Sequence, residues 1–238
     1  MKIKIALFSD THTFHHRVIL PECDIALFAG DSTDRGEQHL SLNFFNWYNL
    51  QTQATHKLFI AGNHENNWDP EKRFNKDKPE WLSKEFLTGN YPNIKYLDNE
   101  SVNILGLNIY GTPYTPDFFP EYWGFNKPRG LEIRKEWDKI PDNTDILISH
   151  GPMKGYMDYI KPSGMYSPYP EGNVGCLDLK DRVYQLQNLK LMVCGHIHEG
   201  NGICDIPIGD RNLIYVNAAC CDGQNYFRNQ PYVVEIEI

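Results

Sequence analysis

The chain has 238 residues, of which 41% are hydrophobic and 23% are charged, a composition typical of a soluble globular protein. The net charge of -8 disfavours a protein that grips long nucleic acid through its phosphates, although a small phosphorylated substrate remains open. No Gly/Ser linker, low-complexity block or internal repeat interrupts the sequence, so we expect a single domain over residues 1–238.

The N-terminal segment begins with Lys2, Lys4 and a short apolar run, which Asp10 ends too early for a signal-peptide core. No apolar stretch approaches the roughly 20 residues that a membrane helix needs, so no membrane contact is expected. The six cysteines show no C-x-x-C spacing, and several lie inside apolar runs. This pattern favours free thiols and a cytoplasmic location.

Three early apolar segments are predicted strands, and each ends in polar residues that can bind metal. Residues 3–9 lead into Asp10 and His12, and residues 24–29 lead into Gly30 and Asp31. Residues 57–61 lead into Asn63 and His64. The flanking glycines indicate a backbone that turns tightly beside a ligand. These junctions are expected to deliver their side chains to one edge of a sheet.

The middle of the chain predicts helices, further strands and two loops. Apolar residues at helical spacing predict a helix over residues 37–53 that packs an aromatic stripe on the sheet, and a second helix is expected over 79–87. Short runs within residues 94–110 predict an antiparallel meander. The aromatic segment 111–130 is expected either to line a substrate pocket or to form a small core of its own.

The second half repeats the pattern of a strand followed by histidine. A helix is predicted over residues 131–137, and a strand over 145–149 that leads into His150. Residues 155–175 form a loop expected to rim the site, and a helix follows over 178–187. The strand over 189–194 leads into His196 and His198, and two final strands are predicted over 213–216 and 232–236.

Residues that follow the strands form a mixed set of imidazoles, carboxylates and one amide. Because ligands of open α/β sheets gather at the carboxyl ends of strands, distant parts of the chain can converge there. This set suits borderline divalent metals better than Ca or Mg, and the absence of cysteine ligands from the set argues against a structural zinc site. The candidates are Asp10, His12, Asp31, Asn63, His64, His150, His196 and His198.

In their order and in their residues, five motifs resemble those of the calcineurin-like metallophosphoesterase superfamily, and they span nearly the whole chain. The motifs are D-x-H from Asp10, G-D-x-x-D-R-G from Gly30, G-N-H-E from Gly62, S-H-G-P from Ser149 and G-H-x-H from Gly195. The resemblance implies an α/β fold, a four-layer α/β/β/α sandwich in which helices flank two central mixed β-sheets.

The resemblance also implies a binuclear metal site in which a metal-bridging hydroxide attacks phosphorus. One metal would be held by Asp10, His12, Asp31 and His198. The other would be held by Asn63, His150, His196 and the bridging Asp31. Manganese is the expected metal, with Fe, Zn, Ni or Co as alternatives.

The resemblance assigns His64 to the leaving oxygen or to developing charge, with Asp34 or Glu65 as candidates to orient it. Together with the bridging Asp31, His64 is the catalytic assignment, and Asn63 and His64 are expected to contact substrate. Arg35 matches an arginine that contacts phosphate in the protein-phosphatase branch, and a salt bridge that holds the loop is the alternative.

The sequence around the later motifs most resembles the branch of animal metallophosphoesterase-domain proteins and bacterial class III cyclic-nucleotide phosphodiesterases. Ala61 stands where Ser/Thr protein phosphatases carry an arginine, which disfavours a phosphoprotein substrate. Phosphodiester hydrolysis of a small substrate such as a cyclic nucleotide is therefore the leading hypothesis. The alternatives are a nuclease, a phosphomonoesterase for nucleotides or sugar phosphates, and a scaffold that has lost catalysis. A homodimer is left open.

Overall fold

The computed structural model describes residues 1–72, 79–118, 122–161 and 171–238. Within these residues the chain forms two main β-sheets, and the α-helices lie on their outer faces. The strands are β1 (Lys2–Phe8), β2 (Cys23–Phe28), β3 (Ala54–Phe59), β4 (Ile94–Tyr96), β5 (Glu100–Ile104), β6 (Leu107–Thr112), β7 (Thr115–Pro116), β8 (Asn126–Lys127), β9 (Ile146–Ser149), β10 (Tyr159–Ile160), β11 (Gly172–Asn173), β12 (Leu191–Cys194), β13 (Gly202–Ile208), β14 (Arg211–Asn217) and β15 (Tyr232–Glu237). The helices are α1 (Gln38–Leu50), α2 (Lys84–Asn90), α3 (Leu131–Trp137) and α4 (Leu177–Gln185).

Both main sheets are mixed, with parallel strands in the centre. The first sheet has the order β15-β1-β2-β3-β4, in which β15 is antiparallel to β1 and the other neighbours are parallel. The second has the order β13-β14-β12-β9-β6-β5, and only its edge strands β13 and β5 run antiparallel to their neighbours. The carboxyl ends of the central parallel strands therefore lie together at one edge of each sheet.

Alternating side chains along β1 show how the layers pack. Ile3, Ile5 and Leu7 belong to the core between the two sheets, which also contains strand residues of the second sheet. Phe8 faces the other way, and its ring centroid lies 5.6 Å from that of Tyr48 on α1. From Ile5 to Phe8 both faces are covered and the residues are continuously apolar, whereas Lys2 and Lys4 at the start of the strand are exposed.

Each sheet carries two helices on its outer face. The buried side chains of α1 and α2 pack on the first sheet, and those of α3 and α4 pack on the second. Ser83 caps α2, since its Oγ accepts a hydrogen bond from the backbone N–H of Phe86. The predicted fold class, a four-layer α/β/β/α sandwich with two mixed sheets, is confirmed.

The predicted meander over residues 94–110 is wrong in its topology. β4 pairs in parallel with β3 in the first sheet, whereas β5 and β6 form an antiparallel hairpin in the second. The chain thus passes from one sheet to the other between Tyr96 and Glu100. Apolar runs indicate that a strand is buried but carry no information about which sheet it joins.

Parts of the two predicted loops fall outside the described residues, namely 119–121 and 162–170, and so does part of the polar segment before α2, residues 73–78. The described part of 155–175 contains the short ladder formed by β10 and β11. In the described chain, no helix is both long and apolar enough to cross a membrane.

Candidate metal centre

The predicted ligands converge where the parallel strands of both sheets end. Each follows its strand within a few residues, because a buried apolar strand must give way to polar side chains where it leaves the core. Of the eight predicted site residues, only His64, His196 and His198 are even partly exposed. Asp10 and His12 follow β1, Asp31 follows β2, Asn63 and His64 follow β3, His150 follows β9, and His196 and His198 follow β12.

Strained backbone marks these strand ends. Asp10, His12, Asp31 and His196 have φ angles of 50°, 39°, 58° and 67°. Residues with a Cβ seldom adopt this left-handed conformation, and they keep it only where surrounding contacts enforce it. The loops are therefore held in position by the folded chain around them.

Glycines in the motifs make room for the ligands. A Cβ on Gly62 would overlap the Asp31 carboxylate, and a Cβ on Gly195 would overlap the Asp10 carboxylate. Gly30, with φ of 99°, would meet His150 Nδ1 at 2.6 Å. The glycine spacing that suggested close approach thus reflects direct packing against carboxylates and imidazoles.

Asp10, His12 and His198 form the first ligand cluster, whose ligand atoms lie within 4.8 Å of one another. His198 Nε2 lies 3.2 Å from His12 Nε2 and 3.3 Å from Asp10 Oδ1. His198 Nδ1 donates a hydrogen bond to the carbonyl of Asp222 at 2.8 Å, so Nε2 is the atom left to bind a metal. Two nitrogens facing each other at this distance fit a shared cation.

The second ligand cluster contains Asp31, Asn63, His150 and His196. Asn63 Oδ1 lies 2.7 Å from His196 Nδ1 and 2.9 Å from His150 Nε2, and the same His150 atom is 3.2 Å from Asp31 Oδ2. His150 Nδ1 donates to the carbonyl of Ala29 at 2.8 Å, which again leaves Nε2 for a metal. The donor set of imidazole, carboxylate and amide fits a borderline divalent ion.

Asp31 connects the two clusters. Its Oδ1 accepts a hydrogen bond from the backbone N–H of His64 at 2.9 Å, so Oδ2 is free to face the ligands. Ligand atoms of Asp10, Asp31 and His150 lie within 4.8 Å of one another. Asp31 is therefore within reach of both sets of ligands, as expected of a bridging residue.

The charges of this buried site depend on one another. Burial opposes ionisation of Asp31 and Asp10, but His150 lowers the pKa of Asp31 well below its usual value and His198 lowers the pKa of Asp10. Burial likewise disfavours charged histidine, yet Asp31 raises the pKa of His150 to about 9, and Asp10 raises the pKa of His198 to about 9. Burial and the charge of His150 lower the pKa of His196 to about 3. The carboxylates thus attract cations, and protons would compete with metal ions for the same imidazoles.

His64 lies beside the second cluster with Nε2 4.0 Å from Asp31 Oδ2. Of the two candidates to orient it, Asp34 contacts the ring, but through its backbone: His64 Nδ1 donates to the carbonyl of Asp34 at 3.0 Å. The Glu65 carboxylate instead binds the backbone of the neighbouring loops. Burial lowers the pKa of His64. The Asp34 carboxylate lies instead 3.5 Å from His12 Nδ1.

Glu65 has a role that the sequence did not reveal. Its fully buried carboxylate accepts hydrogen bonds from the backbone N–H groups of Asp31, Ser32, Thr33 and Gly62 and from the hydroxyls of Ser32 and Thr33, at 2.7–3.1 Å. The side chain thereby joins the loop after β2 to the loop after β3 and fixes the backbone of Asp31. Burial and the neighbouring Asp31 carboxylate raise the pKa of Glu65 to about 7.

Arg35 lies over two aromatic rings of the predicted pocket segment. Its guanidinium carbon is 4.1 Å from the ring centroid of Tyr122 and 4.9 Å from that of Trp123, and it also donates to the Tyr122 hydroxyl. It does not line the cavity described below, so the phosphate contact stays a prediction. A loop-holding role agrees with these contacts, although they are cation–π interactions in place of a salt bridge.

A cavity of about 250 Å³ opens over the ligands. The strand-end residues line one side of it, and Pro116, Phe118, Trp123, Pro152, Ile160 and Val174 contribute aromatic and aliphatic side chains. The lining residues include Asp31, Asn63, His64, His196, His198, Phe118, Trp123, Arg129, Ile160 and Lys161. Of the predicted aromatic segment, Phe118 and Trp123 line the cavity, whereas Phe125 is buried in the core beside α1.

Residues 3–200 match the family model described as calcineurin-like phosphoesterase. The chain belongs to this family. Its members are metal-dependent hydrolases of phosphoric esters, which agrees with the ligand clusters. The superfamily assignment made from the motifs is confirmed.

Two curated relatives and one solved structure illustrate the similarity. Metallophosphoesterase domain-containing protein 1 of Homo sapiens is 34% identical over 240 residues, which cover 96% of this chain and 69% of that protein. "Probable glycerophosphodiester phosphodiesterase GpdQ" of Arcobacter nitrofigilis is 24% identical over 187 residues, which cover 77% of this chain and 60% of that protein. Phosphopantetheinyl hydrolase of Mycobacterium tuberculosis has the same fold, with a TM-score of 0.54 at 13% identity, covering 98% of this chain and 95% of that chain.

Two further residues support the loops around the site. His15 is buried between the rings of Phe44 and Trp47 and contacts Asn43 Oδ1 at 2.7 Å. Asn217, at the end of β14, donates through Nδ2 to the carbonyl of Ile197 at 2.8 Å and so holds the loop of the H-x-H motif.

Proposed function

We propose that this protein is a binuclear metal-dependent phosphodiesterase that acts on a small substrate such as a cyclic nucleotide. The observation that carries the proposal is the Asp31 carboxylate, which lies within reach of ligands from both clusters. When bound, two divalent ions such as manganese would activate water and stabilise charge at phosphorus. Asp10, His12 and His198 would hold one ion, and Asn63, His150 and His196 the other.

His64 is the candidate for handling the proton of the leaving oxygen. The hydrogen bond from Nδ1 to the Asp34 carbonyl fixes the ring and directs Nε2 toward the space beside Asp31. Because Nδ1 keeps its proton for this hydrogen bond, Nε2 carries a proton only when the ring is an imidazolium, and that form would donate the Nε2 proton to the oxygen that leaves phosphorus and return to the neutral ring. Asn63 and the same imidazole line the cavity and are the expected contacts for the phosphoryl group.

Three considerations support a small phosphodiester. The cavity of about 250 Å³ suits a small ligand better than a folded phosphoprotein. The net charge of -8 disfavours long nucleic acid. A relative from Arcobacter nitrofigilis bears the name of a glycerophosphodiester phosphodiesterase. A cytoplasmic location and a homodimer stay predictions.

The test is hydrolysis by protein reconstituted with Mn²⁺. We expect faster cleavage of bis-p-nitrophenyl phosphate than of p-nitrophenyl phosphate, and turnover of at least one cyclic nucleotide. Asp31→Ala should lose most of this activity, whereas Asp181→Ala, which removes an exposed carboxylate on α4, should keep it. Preferential cleavage of the monoester, or of DNA or RNA, would favour the monoesterase or nuclease alternative. No cleavage of any substrate would favour the scaffold.

A further inference from the structure

The cavity over the metal site has one aromatic wall, formed by Phe118 and Trp123. The ring of Trp123 lies 4.2 Å from the ring of His64, and the ring of Phe118 lies 5.1 Å from that of His196, measured between centroids. The two aromatic rings are 6.3 Å apart and inclined by only 26°. Trp123 therefore stands beside the candidate proton donor His64, and Phe118 stands beside His196 of the second ligand cluster.

The loop after β3 holds this wall in place. The backbone N–H of Gly124 donates to the Asn63 carbonyl at 3.0 Å, and Asn66 Nδ2 donates to the Tyr122 carbonyl at 2.9 Å. The backbone N–H of Phe125 donates to the buried Asp69 carboxylate at 2.6 Å. Since the same loop supplies Asn63 and His64, Trp123 keeps a fixed position relative to the metal site.

Arg35 adds a further restraint on the wall. Its guanidinium packs on the rings of Tyr122 and Trp123 and donates to the Tyr122 hydroxyl. Hydrogen bonds at Tyr122, Gly124 and Phe125 and this cation–π contact hold the chain on both sides of Trp123. The Trp123 part of the wall is thus prearranged, which lowers the entropy cost of ordering it when a ligand binds.

Away from the metal ligands, the cavity is lined by the apolar residues Pro152, Ile160 and Val174 and by the charged residues Lys161 and Glu199. The Arg129 guanidinium donates to the carbonyls of Val174 and Gly175. Phe118 and Trp123 add the aromatic wall to this mixed lining. Flat aromatic rings gain stacking energy on such a wall, whereas a sugar or an aliphatic alcohol has no π face to stack.

We propose that Phe118 and Trp123 bind a flat aromatic ring of the substrate, such as a nucleobase, and select phosphate esters that carry one. The inference rests on the proposed function, because a phosphoryl group at the metal site would place the remainder of a small substrate against this wall. To the proposed function it adds two residues that determine substrate specificity, Phe118 and Trp123, and the chemical feature that they recognise, a flat aromatic ring.

The experiment measures binding, not turnover. The full chain loaded with Mn²⁺ is titrated by calorimetry with AMP and with ribose 5-phosphate, which differ in the base. Stacking of one base corresponds to about 5- to 150-fold in affinity, so wild type should bind AMP more tightly by a factor in that range.

Three variants locate the effect. Trp123→Leu should remove most of the preference for AMP, and Trp123→Phe should restore much of it because a ring face returns. Trp47→Leu is the matched control, since this half-buried tryptophan lies on α1 and outside the cavity. It should keep the preference of wild type.

Equal affinity of wild type for both ligands overturns the proposal. So does a preference for AMP that Trp123→Leu leaves intact, including the case in which both affinities fall by the same factor. The outcome is independent of the proposed activity. A protein that hydrolyses nothing but prefers AMP through Trp123 retains this inference and loses the proposed function, and an active diesterase without the preference does the reverse.

Discussion

Glu65→Gln tests how the Asp31 loop is held in its left-handed conformation. One carboxylate oxygen of Glu65 accepts four hydrogen bonds from Ser32 and Thr33, and the other accepts from the N–H groups of Asp31 and Gly62 at 3.0 and 2.7 Å. Glutamine can keep its carbonyl oxygen at the first position. Its NH₂ group then faces two N–H donors, so two hydrogen bonds to a charged acceptor are lost.

Hydrogen bonds to charged groups contribute about 1.5–3 kcal/mol each, so the substitution removes roughly 3–6 kcal/mol. The neutral amide also avoids repulsion by Asp31, and we therefore expect the lower limit of that range. If most of this lost free energy weakens metal binding, the dissociation constant for Mn²⁺ rises on the order of 100-fold.

The assay is calorimetric titration of chelator-treated protein with Mn²⁺, with thermal melting to verify that the variant is folded. Glu136→Gln is the control, because this buried carboxylate on α3 accepts from Asn99 and pairs with Lys139 outside the metal site. Our reasoning would be refuted by a folded Glu65→Gln protein with the Mn²⁺ affinity of wild type, or by an equal loss of affinity in the control.

Two further substitutions address the second ligand cluster and the pH dependence of stability. Elemental analysis of His196→Gly should find one of the two metals lost, because His196 Nδ1 lies 2.7 Å from Asn63 Oδ1 in the second ligand cluster. Equal loss of both metals would contradict the division of ligands. Burial lowers the pKa of His15 below its usual 6.5, so the unfolded chain binds the proton more readily and stability falls as the pH drops below about 6.5. Urea unfolding at about pH 7.5 and 5.5 should show a larger loss in wild type than in His15→Gln, and identical losses would be inconsistent with this account.

The sequence was most informative where local chemistry and topology agree. A buried apolar run followed by Asp, Asn or His predicts both a strand and a ligand at its carboxyl end, and the structure brings the predicted ligands together. The division into two clusters also agrees with the measured distances around Asn63 and His198. Those assignments used the order of the motifs, which the spacing of any single motif could not supply.

Features that depend on contacts between distant segments could not be predicted in the same way. β4 is an apolar run like its neighbours, and only its pairing with β3 places it in the first sheet. Glu65 was one of two candidates to orient His64, whereas its carboxylate is held by backbone N–H groups of Asp31, in the loop after β2, and of Gly62, in its own loop. Trp123 lies in an irregular segment without periodicity, and its place beside His64 depends on hydrogen bonds to residues 63–69.

The metal content of wild type and Asp31→Ala tests the central claim most directly, because Asp31 is proposed to join two ligand clusters. Protein reconstituted with Mn²⁺, freed of loosely bound ions and analysed by mass spectrometry should contain two ions per chain. Asp31→Ala should contain fewer than one, since each cluster loses a shared carboxylate. One ion or none in wild type, or two ions in a folded Asp31→Ala protein, would contradict the binuclear site.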